Sequence, residues 1–466
     1  MSGDGGEPRG SDERASGDES ATAERSAAAA GPDRPAVGIV GGGITGLSLA
    51  HYLAERGVAF TLFEAAPTPG GVVRSDRVDG HVIERGPQRV RRTERVDGLI
   101  ADLGLGDEVR TADPDLPICV YAGGDLHPAP FSVEAFGETD LLSAEAKRAV
   151  LSEPFTDPAD PEESAADMFT RKFGAETYRN LLGPLFGGIY GSDPAQMPVG
   201  HALSGLVAAE RRDGSLLKTA IKRTAGGRDS PPAVSFDDGL GRLPEALADA
   251  HADSIRLGTP VTAVRAIEGN DTTRYELETP EGTEVFDRVV LTTPADLTAD
   301  LVADLAPDSA AALRELNYNP LAMVYLRADL DAEGDVDPAA LGYQVGFDED
   351  LRTLGVSWND SMFDWGIYTA FLGGMHDPAV LDESEERMGE IAAEEFERVT
   401  GAPAEAVDVN VLRRGFPAHD ASWDALDRVD LPEGLRLATN YTARMGVPSR
   451  LREAESLADE LAAELS

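Results

Sequence analysis

The sequence predicts an α/β protein whose parallel sheet begins at residue 36, and three neighbouring stretches carry that prediction. The apolar run Val37 to Val40 reads as a buried parallel strand. Gly41, Gly43 and Gly46 follow in G-x-G-x-x-G spacing, opening a helix from about Ile44 to Arg56 with Leu47, Ala50, Leu53 and Ala54 on one face. Gly57 ends that helix, and Phe60, Leu62 and Phe63 make a second strand closed by Glu64.

Each glycine has a separate physical task in this unit. Gly41 makes the tight turn, Gly43 lets backbone approach a pyrophosphate, and Gly46 lets the helix pack on the strand. Gly42, Ile44 and Thr45 fill the rest of the loop, whose free N–H groups and helix dipole favour an anion. Glu64 stands 18 residues past Gly46, placed to accept from a ribose hydroxyl. The unit is therefore Rossmann-like and predicts a dinucleotide.

The next residues specify which one. Gly70-Gly71-Val72-Val73-Arg74 is followed by Asp79-Gly80-His81 and by Glu84-Arg85-Gly86-Pro87. This series resembles the FAD-binding start of the flavin amine oxidase and protoporphyrinogen oxidase superfamily. The resemblance implies noncovalent FAD rather than NAD, in a discontinuous Rossmann-like domain of the GR2 type. It places Gly71 and Val72 behind the pyrophosphate and Gly86, Pro87, Gln88 and Arg89 along the flavin.

Composition narrows the setting. The 466 residues carry a net charge of −43 and only four lysines. Residues 1 to 35 hold eight acids and four arginines, so about −39 lies on the remainder. The acids are spread along the chain, which suits a soluble, halophilic protein in a salty cytoplasm better than a local face for a cationic partner. Cys119, the only cysteine, excludes an intrachain disulfide and looks like a core thiol. No apolar run reaches the length of a spanning helix, no exposed apolar helix announces itself, and no secretion signal is evident. The expected location is cytoplasmic.

Residues 1–35, rich in Ser, Gly, Ala and Asp, read as a disordered tail. Beyond the arginine cluster Arg89, Arg91, Arg92 and Arg95, Leu99 to Leu105 reads as a helix ending at Gly106, and Tyr121 to Asp125 as a hairpin turn. Residues 142 to 228 read as mostly helical, with Met168, Phe169, Phe173, Tyr178, Leu181, Leu182 and Leu185 at core spacing. Residues 255 to 264 read as one strand, then 275–278 and 284–287 as two alternating strands around Pro280-Glu281-Gly282. Strands are expected at 288–293, 323–326, 342–347, 355–358 and 367–372, and helices at 244–252, 384–400 and the C-terminus.

Three segments sharpen the resemblance to protoporphyrinogen oxidases: DMFTRKFG at 167–174, PLFGGIYGSDP at 184–194 and ERRDGSL at 210–216. The resemblance implies a flavin domain from 36–95, 231–310 and 416–466, with the backbone near Val261 at the adenine end. It implies a helical, membrane-domain-like part at 96–230 and a mixed α+β substrate domain, its sheet at 311–415. The closing segment 435–451 resembles the family's last flavin motif and places Met445, Gly446 and Val447 at the isoalloxazine. It departs from that motif at Thr439, Arg444 and Arg450.

The activity implied is oxidation of a porphyrinogen, protoporphyrinogen IX or coproporphyrinogen III, with molecular oxygen as acceptor in haem biosynthesis. The cofactor supplies the redox chemistry. No His/Ser/Asp triad, HExxH or paired cysteine occurs, so no catalytic acid or base and no metal ligand is named. His81, His201, His376 and His419 read as surface or structural. Arg89, Arg91 and Arg92 are candidates for gripping propionates, or for balancing nearby acids. No nucleic-acid partner is expected, and a homodimer stays open. Two other readings remain: an amine oxidase or desaturase-like enzyme, and a flavoprotein that has lost catalysis.

Overall fold

Five parallel strands make the sheet on which the site is built. Their order is Ile255–Arg256, Phe60–Phe63, Val37–Val40, Arg288–Leu291 and Leu435–Leu437. The computed structural model describes residues 36–225, 231–269, 273–442 and 445–466; the predicted tail at 1–35 and Arg444 lie outside the described residues. Helices Ile44–Glu55 and Val447–Glu464 pack against one face of the sheet, and an antiparallel meander covers the other. Burial on both faces explains why Val37–Val40 reads as a continuous apolar run rather than an alternating one.

Several local expectations need correction. Ala54, expected on the buried face, is exposed, because helix Ile44–Glu55 is buried all round only as far as Leu53 and its last turn emerges into solvent. The helix expected from Leu99 instead spans Glu94–Asp102, with Glu94 and Asp97 in its first turn, where the dipole favours acids. Residues 255–264 are not one strand. Gly258, at φ +68°, breaks the run into Ile255–Arg256 of the parallel sheet and Ala263–Ile267 of the meander. The meander's other strands are Arg274–Thr279 and Gly282–Phe286.

A second, seven-stranded sheet faces the first domain. Its order is Glu405–Pro417, Tyr318–Arg327, Tyr368–Gly373, Thr353–Ser357, Gly342–Val345, Ile118–Ala122 and Asp125–Pro128. The hairpin at 118–128, which the sequence grouped with the helical part, hydrogen-bonds into this sheet through Gly342–Val345. Strand Glu405–Pro417 was not expected, and it pairs along Tyr318–Arg327 with register shifts. Ala322, Val324 and Leu326 turn toward helix Glu385–Thr400, which Ser384 caps by accepting the Arg387 N–H. Leu321, Met323 and Tyr325 point the other way, where the Tyr325 hydroxyl donates to the Glu84 carbonyl at 2.6 Å.

The helical segment has its own apolar core, including Met168, Phe169, Met197 and Val207. Beside it lies a buried ionic cluster. Lys172 Nζ donates to Glu210, to Thr156 Oγ1 at 3.2 Å and to the Asp157 carbonyl at 2.9 Å, with Glu153 Oε1 at 3.7 Å. Glu153 in turn accepts from the Leu216 and Leu217 N–H groups, both at 3.1 Å, at the start of helix Leu216–Ala225. Contrary to the sequence reading, this segment also exposes apolar side chains: Phe131, Val133, Leu151, Phe155 and Ile221. No helix among the described residues is long and apolar enough to cross a membrane.

Candidate active site

Gly41 adopts φ +111°, and a Cβ there would meet Thr292 Oγ1 at 2.5 Å. Thr292 locks the turn by donating to the carbonyls of Val40 and Gly41 at 3.0 and 2.9 Å. A Cβ at Gly46 would lie 2.1 Å from the Gly41 carbonyl oxygen, so only glycine lets the first helical turn sit this close to the strand end. Gly43 is different: a Cβ there would meet nothing within 4 Å. Open space beside a helix N-terminus whose neighbouring glycines are tightly packed is the cradle a diphosphate needs. A dinucleotide therefore fits the residues present.

The second glycine pair lies against the first. Gly70 N–H donates to the Gly42 carbonyl at 2.8 Å, and a Cβ on Gly71 would come 3.3 Å from Gly43 Cα. Val72 beside them is half-exposed, while Ile44 and Thr45 are buried in the first helical turn. Glu64 Oε2 accepts the Gly42 N–H at 2.5 Å and Oε1 accepts the Ala66 N–H at 2.7 Å. The carboxylate thus stands at the expected strand end, and it also holds the glycine loop in place. Thr259 N–H donates to the Glu64 carbonyl at 2.8 Å, bringing the loop that carries Val261 alongside.

Residues 84 to 89 connect the two sheets. Glu84 is 1 % exposed and accepts from Ser75 Oγ at 2.6 Å, Leu240 N–H at 2.7 Å and Ser235 Oγ at 3.2 Å. Burial pushes its pKa up to about 8. Its role in tying three loops together was missed in the sequence, although the E-x-G-P spacing marked the position. A Cβ at Gly86 would lie 2.0 Å from the Val72 carbonyl oxygen, so this segment and the Gly70–Gly71 loop touch backbone to backbone. Gln88 donates to the Gly86 carbonyl at 2.8 Å and accepts from Asn359 at 2.9 Å, and Asn359 accepts from Thr369 at 3.2 Å.

The three candidate arginines separate. Arg89 reaches in from Pro87-Gln88, and its Nη1 donates to Ser357 Oγ at 3.1 Å. It has no carboxylate partner among the described residues, and burial, with Arg91 nearby, pushes its pKa down to about 10. Arg91 is exposed and donates to the Pro231 carbonyl at 3.1 Å. Arg92 pairs with Asp97 at 2.5 Å. Arg91 and Arg92 thus make local surface contacts, and only Arg89 points toward the second sheet.

The closing segment completes the edge. Gly446 precedes helix Val447–Glu464, and Leu435–Leu437 runs parallel to Arg288–Leu291, so this helix and Ile44–Glu55 both start from the carboxyl ends of sheet strands. Two of the departures from the family motif, Thr439 and Arg450, are joined in a network of their own. Thr439 N–H donates to Thr442 Oγ1 at 2.8 Å, Thr442 donates to Glu453 at 2.7 Å, and Glu453 pairs with buried Arg450 at 2.6 Å. The histidines engage structural neighbours: His81 the Trp365 carbonyl at 2.8 Å, His201 Asp424 at 3.0 Å, His376 the Phe347 ring, and His419 the Trp423 ring.

A parallel sheet with a glycine cradle, two helices starting at one edge and a second sheet opposite make a dinucleotide site of the kind that flavin-dependent oxidoreductases use. The chain belongs to the family described as flavin containing amine oxidoreductase, whose profile matches residues 44–460. It is 26 % identical to protoporphyrinogen oxidase 2, chloroplastic/mitochondrial, of Arabidopsis thaliana, over 91 % of this chain and 93 % of that one. It is also 26 % identical to coproporphyrinogen III oxidase of Mycobacterium bovis, over 88 % and 94 % of the two chains. Among solved structures, one from Exiguobacterium sp. 255-15, provisionally assigned as a protoporphyrinogen oxidase, matches with TM-score 0.75 and 26 % identity, over 93 % and 99 % of the chains. Cyclohexylamine oxidase from Brevibacterium oxydans matches with TM-score 0.69 and 16 % identity, over 93 % and 100 %, and shares the fold.

Proposed function

We propose that this chain oxidises a porphyrinogen, protoporphyrinogen IX or coproporphyrinogen III, with noncovalent FAD and molecular oxygen. The carrying observation is Arg89, a partly buried guanidinium that, among the described residues, bonds a serine hydroxyl and no carboxylate. A desolvated cation left without an anion is costly in a folded protein, and a substrate propionate would supply the anion. Arg89 lies next to the Gly86-Pro87 segment and reaches the sheet whose near face carries Met323, Phe371, Leu412 and Phe416. That pairing of one partly buried cation with apolar side chains suits a macrocycle that is apolar in its body and carboxylate-bearing at its rim.

The residues have distinct roles in this reading. Gly41 to Gly46 hold the diphosphate, Glu64 takes the adenosine ribose, and the Gly86 to Gln88 backbone runs along the flavin. Met445 to Val447 present the start of a helix, whose dipole favours negative charge on the cofactor. Bound there, FAD would supply two-electron, hydride-accepting chemistry, with molecular oxygen as the final acceptor and hydrogen peroxide as its product. Three such rounds convert porphyrinogen to porphyrin. The names of the relatives support this substrate class.

The test is aerobic incubation of flavin-loaded protein with each porphyrinogen and with simple amines. Porphyrin fluorescence accompanied by peroxide is expected, as is bleaching of the flavin by a porphyrinogen under anaerobic conditions. Amine turnover with both porphyrinogens silent would move the chain to the amine oxidases. Flavin that no substrate bleaches would point to a binding protein.

A further inference from the structure

On the outer side of the cradle helix, three potential ligands converge from two helices. His51 and Glu55 lie one turn apart on Ile44–Glu55, and Asp102 ends helix Glu94–Asp102. His51 Nε2 lies 4.0 Å from Glu55 Oε1 and 3.9 Å from Asp102 Oδ2. The His51 side chain is only 10 % exposed, and its Nε2 has no hydrogen-bond partner. The other ring nitrogen, Nδ1, is 3.2 Å from His251 Nε2, whose ring packs edge-on against that of His51.

The tautomer that carries its proton on Nδ1 and donates it to His251 directs a buried His51 lone pair at two carboxylates. Lone pair and carboxylates repel one another unless a cation lies between them. We propose that His51 Nε2, Glu55 and Asp102 bind a divalent transition-metal ion of the zinc class, with His251 holding the His51 ring from behind. Imidazole with two carboxylates is a donor set such ions accept, and a second group bonded to the far nitrogen of a ligating histidine is the usual arrangement around them. Metal–ligand bonds of about 2.0–2.2 Å in a tetrahedron separate neighbouring donor atoms by roughly 3.4 Å. The present separations close to that value if the two carboxylates, on side chains about half exposed, swing in by about half an ångström. Water would take the fourth position. The competing cation is Arg56, whose Nη1 is 3.8 Å from Glu55 Oε2, but its 2.7 Å partner is Asp459.

Such an ion would clamp the last turn of the cradle helix to the end of Glu94–Asp102, a structural role independent of turnover. The experiment uses flavin-loaded full-length protein, stripped with chelator and then supplied with zinc chloride alone. One tightly retained equivalent after gel filtration is expected, with a rise in Tm that saturates at that equivalent and that magnesium does not reproduce. A Glu55→Gln/Asp102→Asn double variant alters only solvent-facing carboxylates, so it should fold, keep its metal-free Tm and lose both the retained zinc and the rise. His251→Ala should weaken zinc binding by about 10- to 100-fold while leaving all three ligands in place. No retained zinc in the parent, or equal retention in the double variant, would overturn the site.

Discussion

Two basic side chains of this acidic protein, one buried and one partly buried, differ in their surroundings. Lys172, in the helical segment, sits between Glu153 and Glu210 and bonds a hydroxyl and a carbonyl as well. Arg89, where the two sheets meet, has a serine hydroxyl and no carboxylate among the described residues. A buried charge that the chain satisfies internally holds elements together. One left unsatisfied beside an apolar face is available to a ligand. The same chemical type thus marks architecture in one region and a binding site in the other.

The largest effect falls on the open side of this contrast. Gly43→Val should abolish flavin binding, because its side chain would fill the space in front of Gly43 that no protein atom occupies. Yellow, flavin-loaded Gly43→Val protein would refute the cradle. On the closed side, Lys172→Met leaves two buried carboxylates without their cation and should cost about 3–5 kcal/mol, read as a lowered urea midpoint. A midpoint unchanged from the parent would mean that the cluster is not the tie proposed for it.

Glu84 offers an intermediate case, a buried carboxyl satisfied by hydroxyl and N–H donors but not by charge. Its folded-state pKa, about 8, exceeds the ordinary 4.5, so the folded state holds a proton that the unfolded chain has released. Stability should therefore fall as pH rises through that window, by roughly 2–3 kcal/mol between pH 5.5 and 7.5. Glu84→Gln should flatten the curve by that amount; parallel curves for the two proteins would contradict the assignment. Arg89→Ala should raise KM about tenfold or more with less change in kcat, since a charged hydrogen bond is worth roughly 1.5–3 kcal/mol. Its Tm should not fall as that of Lys172→Met does. If both variants melt early and KM is unchanged, Arg89 is structural as well and the contrast collapses.

Much of the site was legible because its signals are local. G-x-G-x-x-G, the Gly70–Gly71 pair and the E-x-G-P run each encode backbone conformation within a few residues, and Gly41, Gly46 and Gly86 make the close backbone approaches those motifs encode. The family signatures were legible too, but not their function. Lys172 of DMFTRKFG and Glu210 of ERRDGSL turn out to be partners in one buried cluster. Among three arginines within four residues, the sequence offered no reason to prefer one.

What the sequence determined by itself is the βαβ unit, the family and the order of the segments, since periodicity and short glycine motifs survive without knowledge of distant contacts. Tertiary structure alone decided burial and partnership. Arg89 meets Ser357, Glu84 meets Leu240, and His51 meets His251 across separations of 268, 156 and 200 residues. Whether a charge is solvated, paired or left waiting for a ligand depends on which distant side chains surround it and how much water they exclude. A linear pattern does not carry that information.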